Sequence, residues 1–274
     1  MTLSAMSDRT MDALVSQVYR HTGITMDQTK RTMLVGRLTR RARKLKIDSL
    51  EDYLQYLKTE SKEIGPFVDA VTTNKTSMFR SASVWKYLHQ TWLPERESRP
   101  GQSLRAWSAA CSTGQEAASI AILMADRQQI ERSFRWQLDV SDVSPQMVAT
   151  ATTQCFDRAR SHEDCARSPV QHVDRWLKPS GPEHVTLTPE LRSNMRFFKH
   201  NLFDNCGIGR YDLVFVRNVI IYFSAKDRDA VIRRLTGAVR PGGLLVVGES
   251  ESLEQQKFGL ESLMHCVYQK PEAR

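Results

Sequence analysis

Residues 104–142, LRAWSAACSTGQEAASIAILMADRQQIERSFRWQLDVSD, read as strand, small-residue turn, helix and second strand, with an acid at the second strand's end. Leu104, Ala106 and the run from Trp107 to Ala110 make a short apolar strand of the kind buried in a parallel sheet. Ser112, Thr113 and Gly114 supply turn chemistry and a helix start, and Gly114 lets a ligand approach the backbone closely. Residues 117–125 are small and apolar enough to pack as a helix against a sheet. Residues 136–140 form the next strand, and Asp142 falls where a nucleotide ribose is held by its hydroxyls. The spacing from Gly114 to Asp142 exceeds the roughly 20 residues of the dinucleotide fingerprint, and GxGxxG is absent. The stretch therefore reads as a nucleoside-binding α/β unit rather than a pyrophosphate binder. A purely structural βαβ unit is the competing reading.

Working outward, 274 residues leave room for one large domain or a small one plus a medium one. A hydrophobic content of 41% with 26% charged residues describes an ordinary soluble globular chain. No apolar run reaches the roughly 18 residues of a membrane span, and the first ten residues lack a signal-peptide core. The five cysteines are scattered and form no CxxC pair. That argues against a disulfide framework or a metal site and for a reducing cytoplasm. A net charge of +8 favours an acidic or polyanionic partner without choosing among nucleic acid, anionic lipid and acidic protein.

Residues 1–85 read as an all-helical domain. Met11, Leu14, Val15, Val18 and Tyr19 recur at helical spacing before Gly23. A second helix spans about residues 27–45, with Met33, Leu34, Leu38 and Ala42 on its apolar side. Its other side carries Lys30, Arg31, Arg37, Arg40, Arg41, Arg43, Lys44 and Lys46. A solvated face is the plain account of such a run. Charge of one sign, without interspersed glutamates to make i,i+4 pairs, points instead to a docking surface for an acidic partner, with Arg37, Arg40, Arg41 and Lys44 as its candidates. Short helices follow from about Leu50 and over residues 64–71. Then comes the polar stretch TTNKTSMFR (72–80), read locally as capping or turn chemistry. Residues 86–102 read as a linker helix and a linker, and 103–274 as the α/β domain. Within it a proline-broken insert of about residues 157–197 carries one hairpin, with arms at 184–187 and 195–198. YDLVFV (211–216) is a buried strand ending in Arg217-Asn218. A helix over 227–239 is closed by Pro241-Gly242-Gly243, a strand follows at 244–247, and residues 260–269 close the sheet with one or two antiparallel strands. Alternating strands and helices of this kind give a mostly parallel sheet covered on both faces.

Several separated motifs, in order, then carry a resemblance. They are TTNKTSMFR (72–80), WSAACSTGQEAASIA (107–121), VSD (140–142), NL (201–202) with FDN beside it, YDLVFVRNVIIYF (211–223) and RPGGLLVVGESESL (240–253). Over essentially its whole length the chain resembles the chemotaxis receptor glutamate O-methyltransferases, the CheR family. The resemblance implies a Rossmann-like class I methyltransferase domain behind a small all-α domain, with a small inserted β-subdomain. It implies S-adenosylmethionine as cofactor and S-adenosylhomocysteine as product. By resemblance, Asn74, Thr76 and Arg80 reach over the methionine end, Glu116 stands at the first helix start, and Asp142 holds the ribose. Asn201 and Leu202 flank the adenine, Arg217 and Asn218 line the sheet's carboxyl edge, and Tyr222 lies near the transferring methyl group. Arg80 and Tyr222 are thus the expected catalytic pair. The implied partner is the glutamate-rich cytoplasmic helical domain of a chemoreceptor, met by a monomer that binds no nucleic acid and does not insert into membrane. The inserted hairpin is a candidate for taking a receptor C-terminal peptide by strand addition, as in part of the family. A cofactor-binding but catalytically silent regulatory module is the alternative. The chain departs from the family pattern at Met78, Ser81, Gln115, Ala117, Ala118 and Glu249.

Overall fold

The computed structural model describes residues 6–95 and 103–272. Residues 96–102 of the expected linker helix and linker (86–102) lie outside the described residues. The N-terminal part is helical throughout: α1 (Asp8–Thr22), α2 (Gln28–Lys44), α3 (Leu50–Thr59), a 3-10 turn at Ser61–Glu63, and α4 (Ile64–Val71). Each of the first three helices starts at a side chain that satisfies a free N–H group of the first turn. Ser7 accepts from the Thr10 amide, Asp27 from Lys30 and Ser49 from Asp52. Leu14, Val18, Leu34, Leu38, Tyr53, Leu57, Phe67 and Val71 close into one core. Met33 is 43% exposed, so the apolar side of α2 is narrower than its sequence suggests, and that methionine lies outside it.

Residues 72–81 then run without regular structure into α5 (Ala82–Tyr87), which continues through a π-helical turn (Leu88–Trp92) into α6 (Leu93–Glu95). Trp85, Leu88, Trp92 and Leu93 are buried in the second, larger core, with Trp85 stacked 5.2 Å from the Phe215 ring. That core surrounds a sheet built from β1 (Ser103–Ser108), α7 (Gln115–Ile130), β2 (Arg135–Asp142), α8 (Pro145–Thr153), β3 (Cys155–Asp157), α9 (Arg158–Cys165), β4 (Leu177–Pro179), β5 (His184–Leu187), α10 (Pro189–Arg192), β6 (Met195–Lys199), β7 (Tyr211–Val216), α11 (Ala225–Ala238), β8 (Val239–Val247), α12 (Gln255–Phe258), β9 (Glu261–Met264) and β10 (Val267–Gln269). The main sheet has the order β6-β2-β1-β7-β8-β10-β9. From β6 to β8 neighbouring strands are parallel, and β10 and β9 close the edge antiparallel. Every residue of β7 is buried, as a strand covered by helices on both faces requires. Strand order reverses at β1, which lies between β2 and β7, and that switch point is where open α/β sheets bind ligands. This is the mostly parallel, Rossmann-like α/β fold behind an all-α unit that the sequence leads one to expect.

Three local expectations are corrected. The hairpin of residues 184–187 and 195–198 does not exist. β5 pairs antiparallel with β3 and β4 in a separate three-stranded sheet, whereas β6 lies parallel to β2 in the main sheet. The Pro-Gly-Gly stretch does not stand between helix and strand, because β8 already begins at Val239 and passes through it with a register shift. Gly114 is needed for a close approach, but by the protein itself. Its φ is +96°, and an added Cβ would lie 2.8 Å from the Gln154 amide and 3.1 Å from Ala151 Cα at the end of α8. Among the described residues, no helix is long and apolar enough to cross a membrane.

Candidate functional site

A cleft of about 910 Å³, its open mouth included, lies over the carboxyl ends of β1, β2 and β7. Asn74, Thr76, Arg80, Glu116, Asp142, Asn201, Leu202, Arg217, Asn218 and Tyr222 all line it. The structure thus brings all ten sequence-derived cleft residues together, from five separate stretches of chain.

Asp142 ends β2 and is only 7% exposed. Its Oδ2 accepts from the Ser112 amide at 2.9 Å and its Oδ1 from the Ser144 amide at 3.0 Å. One backbone donor per oxygen fixes the carboxylate and leaves a lone pair on each oxygen for a ligand. Burial raises its pKa above the ordinary range, against the pull of those amides. Glu116, in the first turn of α7, is also buried, accepting from Ser108 Oγ at 2.7 Å and from Arg217 Nη1 at 3.4 Å. Burial again raises its pKa, with the Arg217 guanidinium the largest opposing influence.

The backbone of residues 71–80 crosses the cleft, held from several sides. Arg37 of α2 donates to the Val71 and Thr72 carbonyls at 2.8 and 2.6 Å and to Thr73 Oγ1 at 3.0 Å. Ser112 Oγ donates to the Asn74 carbonyl at 3.0 Å. Asp164 of α9 accepts from the Met78 amide and Ser119 of α7 from the Phe79 amide, both at 2.9 Å. The Arg80 carbonyl accepts from Trp85 Nε1 at 2.8 Å and Arg217 Nη2 at 2.9 Å. Phe79 and Ser81 both have positive φ, a costly conformation that persists because these bonds over-determine it. The Arg80 side chain, by contrast, makes no hydrogen bond or ion pair among the described residues, although it lines the cleft.

Asn201 and Tyr222 fasten the sheet end to the helical unit. Asn201 Nδ2 donates to the His21 carbonyl at 3.3 Å, and the Tyr222 carbonyl accepts from the Thr25 amide at 2.9 Å and Thr25 Oγ1 at 2.8 Å. The Lys30 ammonium lies 5.8 Å from the centroid of the Tyr222 ring. Thr22, the last residue of α1, and Ile24, between α1 and α2, belong to the cleft wall, and no sequence signal singles them out. His200 lines it as well, its pKa lowered by burial.

On α2 the four basic candidates divide. Arg41 makes a two-bond pair with buried Glu63, at 2.7 and 2.5 Å, and Tyr53 Oη donates to the same carboxylate. Arg37 is held by the carbonyls named above. Arg40 and Lys44 are exposed, and all four line a shallow groove shared with α4 and α8.

The model of the CheR methyltransferase SAM binding domain matches residues 74–267, and that of the all-alpha domain matches residues 9–72. The chain belongs to the CheR methyltransferase family. It is 34% identical to the Chemotaxis protein methyltransferase Cher2 of Pseudomonas putida, over 84% of this chain and 86% of that one. Identity to the Chemotaxis protein methyltransferase of Salmonella typhimurium is also 34%, over 98% of this chain and 93% of its relative. The corresponding Escherichia coli protein is 32% identical over 93% and 89%. The residues matched to the CheR SAM binding domain supply most of the cleft wall, and the all-alpha domain adds Thr22, Ile24 and Thr72, its last matched residue, where the crossing segment begins.

Proposed function

We propose that this CheR-family chain transfers the methyl group of S-adenosylmethionine to glutamate side chains of a chemoreceptor's cytoplasmic helical domain. The observation that carries this reading is the cleft at the switch point, with its fixed, buried Asp142 under the crossing segment 72–80. Its residues suit the cofactor. Asp142 offers two oriented acceptors to vicinal hydroxyls, Leu202 and Val143 offer apolar surface to a base, and Glu116 and Asp142 suit a cationic ligand. Arg217 Nε is buried at the wall without a partner, a donor left for an anionic group such as an amino-acid carboxylate.

The cofactor supplies a methyl group on a positively charged sulfur. A glutamate, with a reference pKa of about 4.3, arrives already ionised, so the chain needs no general base. Its task is alignment of the incoming carboxylate. Arg80 is the residue for that, since a guanidinium free of protein partners matches a carboxylate in two-bond fashion. Tyr222 shapes the same end of the cleft. Because the attacking anion and the sulfonium neutralise each other, exclusion of water by segment 72–80 favours the step. Arg40 and Lys44, exposed on α2, are the cations that would steer an acidic receptor helix. The reading places a monomeric enzyme in the cytoplasm.

Titration calorimetry with S-adenosylmethionine and S-adenosylhomocysteine tests it. Asp142→Ala is expected to weaken both at least tenfold, about 1.4 kcal/mol. Labelled-methyl transfer to a receptor cytoplasmic fragment is expected to yield base-labile esters and to vanish in Arg80→Ala. Binding without transfer to any receptor fragment would instead mark a silent cofactor-binding module.

A further inference from the structure

We infer that Glu251, which does not line the cleft, is the positioning residue that sets Asn218 and Tyr222 in the cleft wall. The inference rests on the cofactor site proposed above. Glu251 is 4% exposed, in the turn after β8. Its carboxylate accepts four backbone N–H groups from two separate segments. Oε2 takes the amides of Asn218 at 2.6 Å and Gly248 at 2.7 Å, and Oε1 those of Ile220 at 3.0 Å and Ile221 at 3.4 Å. Among the described residues no cation pairs with it, so these amides are its whole compensation.

Three of the four donors belong to the stretch that leaves β7 and enters the cleft. Asn218 has a φ of +58°, a conformation asparagine adopts more readily than most residues but at a cost that something must offset. Ile220 begins the 3-10 turn Ile220–Tyr222, whose first amides have no partner within the turn. The carboxylate satisfies those amides as a helix cap would, and it fixes the sharp turn that aims Asn218 and Tyr222. The arrangement leaves no spare volume. A Cβ on Gly248 would lie 2.6 Å from Asn218 Nδ2 and 2.7 Å from Glu251 Oε2, so the glycine is there to admit the carboxylate. Ile220 packs into the core, whereas Ile221 is exposed, so the aim of the segment is not set by burial alone.

Glu251→Gln keeps the shape but turns an NH2 group toward backbone donors. The test measures S-adenosylhomocysteine binding by calorimetry and thermal melting on the full chain for Glu251→Gln, Asn218→Ala and the double variant. Glu251→Gln is expected to weaken binding at least fivefold, and the double variant to be no worse than about the worse single one. A merely structural role would give losses that multiply, and an unchanged affinity in a folded Glu251→Gln would overturn the inference outright. Should Glu251→Gln fail to fold, Gly248→Ala presses on the same contact with the charge retained. It is expected to lose affinity similarly, and wild-type affinity there would count equally against the inference. If the wild type itself binds no S-adenosylhomocysteine, the proposed function fails. Glu251 is then read from amide hydrogen exchange at Asn218 and Ile220, which Glu251→Gln must accelerate at least tenfold and selectively.

Discussion

Asp142 and Glu116 are buried carboxylates with raised pKa values, and in the proposed site this gives ligand binding a pH signature. Asp142 must be ionised to accept from two hydroxyls. Affinity for S-adenosylhomocysteine should therefore fall as pH is lowered, starting above the range in which an ordinary aspartate titrates. Calorimetry as a function of pH reads this directly, and Asp142→Asn should remove much of the slope along with the affinity. The sign for stability is opposite. A carboxylate whose folded pKa exceeds its unfolded value binds its proton more tightly when folded, so it costs stability at neutral pH. That cost disappears as pH falls through the folded value. Mild acid is thus expected to weaken ligand binding while it relieves the stability cost of these two groups. The place of Asp142 in the cleft was legible from its position at a strand end. That of Glu251 was not, since an acid after a glycine turn looks like any exposed loop residue, as its neighbour Glu249 is.

At the scale of the element, α2 shows how tertiary partners divide a charged face. Arg41→Ala would leave the Glu63 carboxylate, 2% exposed, without its cation and is expected to cost on the order of 3 kcal/mol. Thermal melting should show a large fall in Tm for that variant and almost none for Arg40→Ala. Arg40→Ala and Lys44→Ala should instead slow receptor methylation, more so at low salt. Sequence alone does not separate these arginines, because Glu63 is remote along the chain and the partners of Arg37 are carbonyls that every residue possesses. The same limit explains the false hairpin. Turn residues near Pro189 and Asn194 mark where a strand begins, but parallel pairing of β6 with β2 is fixed across the sheet. Where local pattern and long-range burial agree the strands were legible, β7 to the residue and β1 and β2 to within two, whereas α7 runs on to Ile130, five residues past its small apolar stretch.

At the scale of the molecule, two hydrophobic cores meet at the cleft. Polar ties join them there. Asp69 of α4 accepts from Ser144 at the start of α8, Tyr19 Oη donates to Asp227 at 3.0 Å, and Thr25 holds the Tyr222 carbonyl. A ligand between the cores should stabilise both together. With S-adenosylhomocysteine at a hundred times its Kd, about 2.7 kcal/mol is expected, seen as a raised Tm and one transition. Separate transitions, of which only one moves, would count against a shared site. The cleft wall begins at Thr22 and is completed only by Phe223. The order of synthesis therefore matters. Roughly four-fifths of the chain must leave the ribosome before the first molecule of methyl donor can be held, and a product cut short between α4 and the end of β7 carries the helical unit without a finished cleft.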